Sequence, residues 1–93
     1  MFLRRITQTQ LEFILLEHVR WLADRSHGKR ASLIDTDLTG LDFSHADLRM
    51  AVLSGSNFEC ANMAMANLTG AITDDIVLNG TNFDGAVGYD FFD

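Results

Sequence analysis

The sequence predicts a mainly β solenoid with a helix over its N-terminal end. A strict five-residue period from Ala31 to Gly85 and a helical apolar pattern before it are the observations that predict this. Within the periodic stretch, every fifth position carries Leu33, Leu38, Phe43, Leu48, Leu53, Phe58, Met63 and Leu68, then Thr73, Leu78 and Phe83. Two residues before each stands a mostly small or apolar one: Ala31, Thr36, Leu41, Ala46, Ala51, Ser56, Ala61, Ala66, Ala71, Ile76 and Thr81. Between the two is usually Asp or Asn, as at Asp37, Asp42, Asp47, Asn57, Asn62, Asn67 and Asn82. Such a fixed, uninterrupted period is the signature of a repeat architecture.

Five is not a period of either regular element. Positions five apart drift around an α-helix, which advances about 100° per residue. On a flat strand they point to opposite faces. Each unit must therefore contain a short extended piece and a corner, and Gly40, Gly55, Gly70, Gly80 and Gly85 mark where the corner falls. A chain wound this way points its large central residue inward every time. The small residue two places earlier faces inward as well and leaves room for it. Each coil then covers the next, as in other quasi-one-dimensional stacks.

Residues 1–30 have another pattern and are expected to form a helical cap, with residues 31–93 as the coil and both in one compact unit. Thr9 and Glu12 have the capping-box spacing. Leu11, Ile14, Leu15, His18 and Leu22 share one helical face, widened by Phe13, Val19 and Trp21. This predicts a helix from about Gln10 to Ala23 or Asp24, with Gly28 in the loop beyond. An open first coil exposes its apolar centre, so a cap is required there; a partner-binding helix is the sharper alternative. At the other end, Tyr89, Phe91 and Phe92 either fold back over the last coil or join two copies.

Composition narrows the function. With 47 % hydrophobic and 22 % charged residues the chain is globular, and its length allows one domain with a small core. No apolar run is long enough for a membrane span, and no signal peptide is evident at Met1-Phe-Leu-Arg-Arg. The single Cys60 excludes an intrachain disulfide and fits a reducing cytoplasm; it is expected to be a structural thiol at a corner. His18 is expected to be a satisfied core histidine, His27 lies in the loop and His45 at a corner, and the three share no metal-ligand spacing. Asp74 and Asp75 are adjacent, which on a strand turns them to opposite faces and argues against a shared acid–base site. No catalytic set, phosphate loop, cofactor motif or metal motif is present in the sequence, so a non-enzymatic protein without cofactors is expected.

Charge is the strongest functional signal. Residues 1–30 hold six Lys/Arg and three Asp/Glu, a net of +3; residues 31–93 hold one Arg and ten Asp/Glu, a net of −9, and the two sum to −6. An acidic body repels nucleic acid and anionic membranes, and the expected partner is a basic, DNA-binding protein surface. The candidate acidic surface is Asp35, Asp37, Asp42, Asp47, Glu59, Asp74, Asp75 and Asp84. The repeat's own slot accounts for Asp37, Asp42 and Asp47 without any partner, and the others are not accounted for in that way.

The unit Ala-Asp/Asn-Leu/Phe-x-Gly resembles the pentapeptide-repeat family, over about 55 of the 93 residues. The resemblance implies a right-handed quadrilateral β-helix with four pentads per coil. Leu33, Leu53 and Thr73 then stack on one face and Leu38, Phe58 and Leu78 on the next. Phe43, Met63 and Phe83 form the third stack, Leu48 and Leu68 the fourth. Thr73 and Gly88 depart from the pattern, so packing is expected to be loosest near Thr73 and beyond Gly85. His18, Trp21, Leu22, Gly28, Arg30 and Ala31 resemble the lead-in helices of bacterial members. Some members are DNA mimics that inhibit or protect type II topoisomerases, which is the first activity the resemblance implies. This rod is short for an extended topoisomerase saddle. A block on a protein that reads a few base pairs fits its length better, and a CRISPR surveillance complex is such a reader. The other open reading is a docking module: Val52, Ile72, Val77 and Val87 replace Asp/Asn, and Val52 and Ile72 would stack as an outward apolar stripe. A monomer or a C-terminal homodimer is expected.

Overall fold

A computed structural model describes residues 3–89. Strand β1 (Arg4–Arg5) leads into helix α1 (Gln8–Ala23), and strand β2 (Thr36–Asp37) pairs in parallel with β1. From there the chain is a ladder of single parallel bridges between residues 20 apart: Ser32↔Val52↔Ile72, Asp37↔Asn57↔Val77, Asp42↔Asn62↔Asn82 and Asp47↔Asn67↔Val87. Twenty residues is four pentads, so each coil has four sides, numbered here one to four from Ser32. The expected stacks of four pentads per coil are observed.

The hydrogen bonds show why five residues suffice for a side and a corner. The central residue donates its N–H to the coil below, as Leu33 does to Val52 O (2.7 Å), and the residue before it donates to the coil above, as Val52 does to Ala31 O (3.0 Å). The chain then turns. The amide three residues after the central residue bonds back to that residue's carbonyl, as in Ala46 N to Phe43 O (2.9 Å). The third residue of this turn has positive φ, which glycine adopts freely. Six corners instead carry Asp35, His45, Met50, Cys60, Met65 and Asp75 at φ from 49° to 63°. Glycine therefore marked only part of the corners. The ladder, which bonds the corner amides of Asp35, His45, Met50, Cys60 and Met65 to the coil below (Met65 N to Asp84 O, 2.8 Å), holds these five in the left-handed region.

The core is the column of central residues inside the coil. Leu33, Leu38, Phe43, Leu48, Leu53, Phe58, Met63 and Leu68 are buried, with Ala31, Ala51, Ala61 and Ala66 beside them. Phe43 and Phe58 pack with ring centroids 5.3 Å apart. Burial falls off from Ala71 onward: Leu78 and Phe83, as apolar as their neighbours above, are only partly covered. The loose packing expected at Thr73 belongs to the whole last coil, because nothing described lies beneath it except Tyr89 against Phe83 (5.0 Å). Phe91 and Phe92 lie outside the described residues.

At the other end, the cap replaces a missing coil one hydrogen bond at a time. The upper edge of the first coil presents the peptide groups of Ser32, Asp37, Asp42 and Asp47 and the corner carbonyls. On side two β1 supplies a strand. Side three is met by a side chain, the Gln8 amide, which donates to Asp42 O (2.8 Å) and accepts from Asp42 N (2.9 Å). Arg5 reaches Thr39 O (2.7 Å). His18 is fully buried; its Nδ1 accepts from Ala31 N (2.9 Å), which leaves Nε2 as the donor to Arg49 O (2.8 Å). The core-histidine expectation holds.

Two helix details differ from the sequence reading. The cap is Thr7 with Gln10, not Thr9 with Glu12, so α1 starts at Gln8. The earlier start gives Gln8 its place over Asp42. Phe13 and Val19 do not join the packed face; Leu11 and His18 are buried, Ile14 and Leu15 pack on the core, and Phe13 is 64 % exposed. Gly28 (φ +65°) lies so close to α1 that a methyl group there would strike Glu17 O and Arg20.

His18 makes the cap sensitive to acid. Desolvation holds its pKa below the ordinary 6.5, outweighing the Arg49 carbonyl and Asp47, which raise it, while Arg30 and Arg49 lower it. A protonated Nδ1 also cannot accept from Ala31. The unfolded chain therefore binds the proton more readily, and stability that is complete above 6.5 falls as pH drops below it. Urea titrations across this range should show the fall in the native chain and a flatter profile in His18→Gln. His18→Ala should cost about 2–4 kcal/mol at neutral pH, since it orphans two buried backbone groups.

Candidate protein-binding surface

The Asp/Asn slot has a structural task that fixes how many of the carboxylates are available. Its side-chain oxygen accepts the amide two residues on: Asp37 from Thr39 (3.0 Å), Asp42 from Ser44 (2.8 Å), Asn57 from Glu59 (2.9 Å), Asn62 from Ala64 (3.0 Å) and Asn67 from Thr69 (3.1 Å). This bond straightens the entry to each corner, and it is the physical reason for the residue type. The three slot acids are further engaged. Thr39 bonds hold the Asp37 carboxyl below the ordinary value, with a smaller contribution from Arg5 at 3.4 Å. Ser44 does the same for Asp42. The Asp47 carboxylate is chelated by Arg49 through Nε (2.8 Å) and Nη2 (2.7 Å), which lowers it too.

The eight candidate acids do not form one sheet of charge. Asp74 ends side one, Asp35 and Asp75 occupy the corner between sides one and two, and Asp37 fills the slot of side two, while Glu59, next to the Cys60 corner, ends side two where it meets side three. Asp35, Asp37, Asp74 and Asp75 share one edge of the coil. Asp42 and Asp84 are on side three and Asp47 is on side four, around the body from that edge. Asp74 and Asp75 sit in a corner with Asp75 at φ 58°, not on a strand; both are exposed, and the opposite-face argument does not apply to them. Asp90 and Asp93 lie outside the described residues.

Side one is unlike the others. Its slot holds Ser32, Val52 and Ile72 on three successive coils, so Ile34, Ser54 and Asp74 lack the slot bond that other sides make. Val52 and Ile72 stack as expected, with Ile72 40 % exposed. Ile34, half exposed on the same side, extends the stripe; the slot pattern did not single it out because it lies one position after the central residue. Cys60 is an exposed corner thiol. Among the described residues no group of three or more His, Cys, Asp or Glu is placed to hold a metal ion. Nor is any helix among them long and apolar enough to cross a membrane.

A four-sided ladder with structural Asx turns defines a solenoid that presents surface rather than a cleft. The pentapeptide repeats family model matches eight copies over residues 36–72. Among solved structures, the pentapeptide repeat protein Rfr23 from the cyanobacterium Cyanothece 51142 matches with a TM-score of 0.54 and 34 % identity, covering 62 % of this chain and 44 % of that one. Residues 36–72 thus carry pentapeptide repeats, and the chain is similar to that protein over 62 % of its length. It spans less than half the length of that relative. A search of the curated proteins found no match.

Restoring the slot on side one tests the assignment of these bonds. Val52→Asn and Ile72→Asn should leave stability unchanged or raise it by up to about 1 kcal/mol each, while Asn67→Val should lower it by about 1 kcal/mol. Urea midpoints at constant m-value check all three.

Proposed function

We propose that this protein winds as a right-handed four-sided rod and acts as a non-enzymatic, protein-binding inhibitor in the cytoplasm. Its acidic edge takes the place of a short DNA duplex on a basic, DNA-reading protein. The observation that supports this best is the gathering of Asp35, Asp37, Asp74 and Asp75 along the edge between sides one and two. Among the described residues only Asp37 of these is tied by an ion pair. The repeat slot explains Asp37 and none of the other three. Over Ala31–Gly85 the chain carries eight acids and one Arg. At about 4.8 Å per coil that stretch is ~13 Å long, where B-DNA carries roughly eight charges. A duplex of about four base pairs has that charge. The target proposed is a protein that reads a short duplex motif through basic side chains, as a CRISPR surveillance complex reads its PAM; inhibition or protection of a type II topoisomerase is the alternative carried by the family.

A second reading rests on side one. Ile34, Val52 and Ile72 form an outward apolar stripe where three slot bonds have been given up, which suits a docking face. The half-covered last coil, with Tyr89 against Phe83, gives the same class of reading as a C-terminal homodimer.

Pull-downs from bacterial lysate at ~0.1 M and ~0.5 M salt separate the two, because screening shortens from about 10 Å to a few Å over that range. A DNA-binding target held only at low salt, displaced by duplex DNA and lost in Asp35→Lys/Asp74→Lys/Asp75→Lys is the expected result. Retention by that variant with unchanged circular dichroism overturns the mimicry. A partner that survives high salt and is lost in Val52→Asn/Ile72→Asn supports the apolar stripe.

A further inference from the structure

A second surface lies beside the cap and is not used by the readings above. It is a groove of about 210 Å³ between α1, the loop after it and side one of the first coil. Its lining brings together cations and apolar surface: Arg4, Lys29 and Arg30 with Phe13 and Ile14. Glu17 also lines it, but Arg20 holds that carboxylate at 2.9 Å. Arg30 is anchored by its Nε on Met50 O (2.6 Å), while Arg4 and Lys29 form no ion pair among the described residues. In a chain of net charge −6 these are unspent positive charges facing one hollow. A neighbouring hollow of about 460 Å³ shares Arg4, Phe13 and Ile14 and adds Arg5, so the basic and apolar character continues past the groove.

The groove also borders a strand edge. Around Ser32, Ala31 O and Leu33 N are the groups that bond the second coil, so the Ser32 N–H and C=O point the other way. The equivalent groups of Asp37 meet β1 and those of Asp42 meet Gln8. Those of Ser32 have no partner among the described residues. The cap thus completes sides two and three and leaves the Ser32 groups of side one and the Asp47 groups of side four without a partner among the described residues; of these two, side one is where the cations converge.

We propose that this groove binds an extended, acidic segment of another protein. The segment lies along the free edge at Ser32 as an added strand, its carboxylates against Arg4, Lys29 and Arg30 and one apolar side chain against Phe13. Strand addition supplies main-chain bonds, and the flanking side chains supply selectivity. Nucleic acid fits less well, because residues 31–93 carry a net of −9 and a phosphate backbone has no amide to offer Ser32. The acids of a second copy's rod sit in corners and Asx turns rather than in an extended strand.

Fluorescence anisotropy with the full chain tests this, using a labelled ten-residue peptide of alternating Glu and Thr around one Phe. The controls are a Gln-for-Glu peptide and one N-methylated at its central amides. Saturable binding of the Glu peptide is expected, weaker by about tenfold or more for either control and for Arg4→Glu/Lys29→Glu. Phe13→Ser, at an exposed position, should weaken it as well. Equal binding of Glu and Gln peptides, equal binding of the N-methylated peptide, or indifference to Arg4→Glu/Lys29→Glu with unchanged circular dichroism overturns the proposal. Duplex DNA binding more tightly than the Glu peptide and lost in the same variant assigns the groove to nucleic acid and overturns it. Concentration-dependent self-association in sedimentation, lost in that variant, overturns it in favour of a second copy.

Discussion

The parallel backbone ladder at a 20-residue register is the constraint on which the rest of the molecule depends. A coil of single bridges has no long strands to stabilise it; each side contributes a pair of bonds to each neighbouring coil, and each corner amide from Asp35 to Met65 adds one more. The register fixes which residues stack, and so fixes the core column, the corner column and the outward slot together. It also creates the molecule's main liability. A ladder has two ends, and each end exposes backbone groups and an apolar cross-section.

The first end shows how a non-repeating segment can meet a repeating edge. No second strand of regular spacing precedes Ser32, yet half of the edge is matched: a two-residue strand on side two, one amide side chain on side three, and a guanidinium and an imidazole at two corner carbonyls. Such a cap is specific without being periodic. Gln8 can serve Asp42 only because α1 begins one residue after Thr7, and His18 can serve Ala31 and Arg49 together only as the neutral imidazole with its proton on Nε2. The opposite end has no such arrangement among the described residues, and the half-covered Leu78 and Phe83 reflect that.

How much of this was legible in the sequence follows from the same distinction. Whatever repeats was readable: the inward column, the small companion two residues earlier, four pentads per coil once the likeness was in hand, and the stacking of Val52 on Ile72. What depends on contacts between unlike segments was not. Thr7 with Gln10 and Thr9 with Glu12 both have capping-box spacing, and only the docking of Gln8 on the coil separates them. Glycine underestimated the corners, since His45, Met50, Cys60 and Met65 take positive φ under tertiary control. Phe13 looked like part of the packed face by period alone, but it lies at the margin, beside the groove.

The candidate surface divides along the same line. Asp and Asn are interchangeable in the slot because one side-chain oxygen does the work there; a carboxylate in that position reports the fold first. Acids outside the slot carry the information about a partner. Asp35, Glu59, Asp74, Asp75 and Asp84 qualify, and the coil's four-sided geometry places Asp35, Asp74 and Asp75 on one edge, Glu59 at the end of side two and Asp84 at the end of side three. Net charge read along the chain cannot see this, because residues five apart in sequence face different sides, and those 20 apart share one. The informative count is therefore charge per side. By that count the edge between sides one and two is acidic, the outward slot of side one is apolar below Ser32, and the cap end of the same side is basic. One side of a very small rod thus changes character along its length, and a partner that engages it must do so in one orientation.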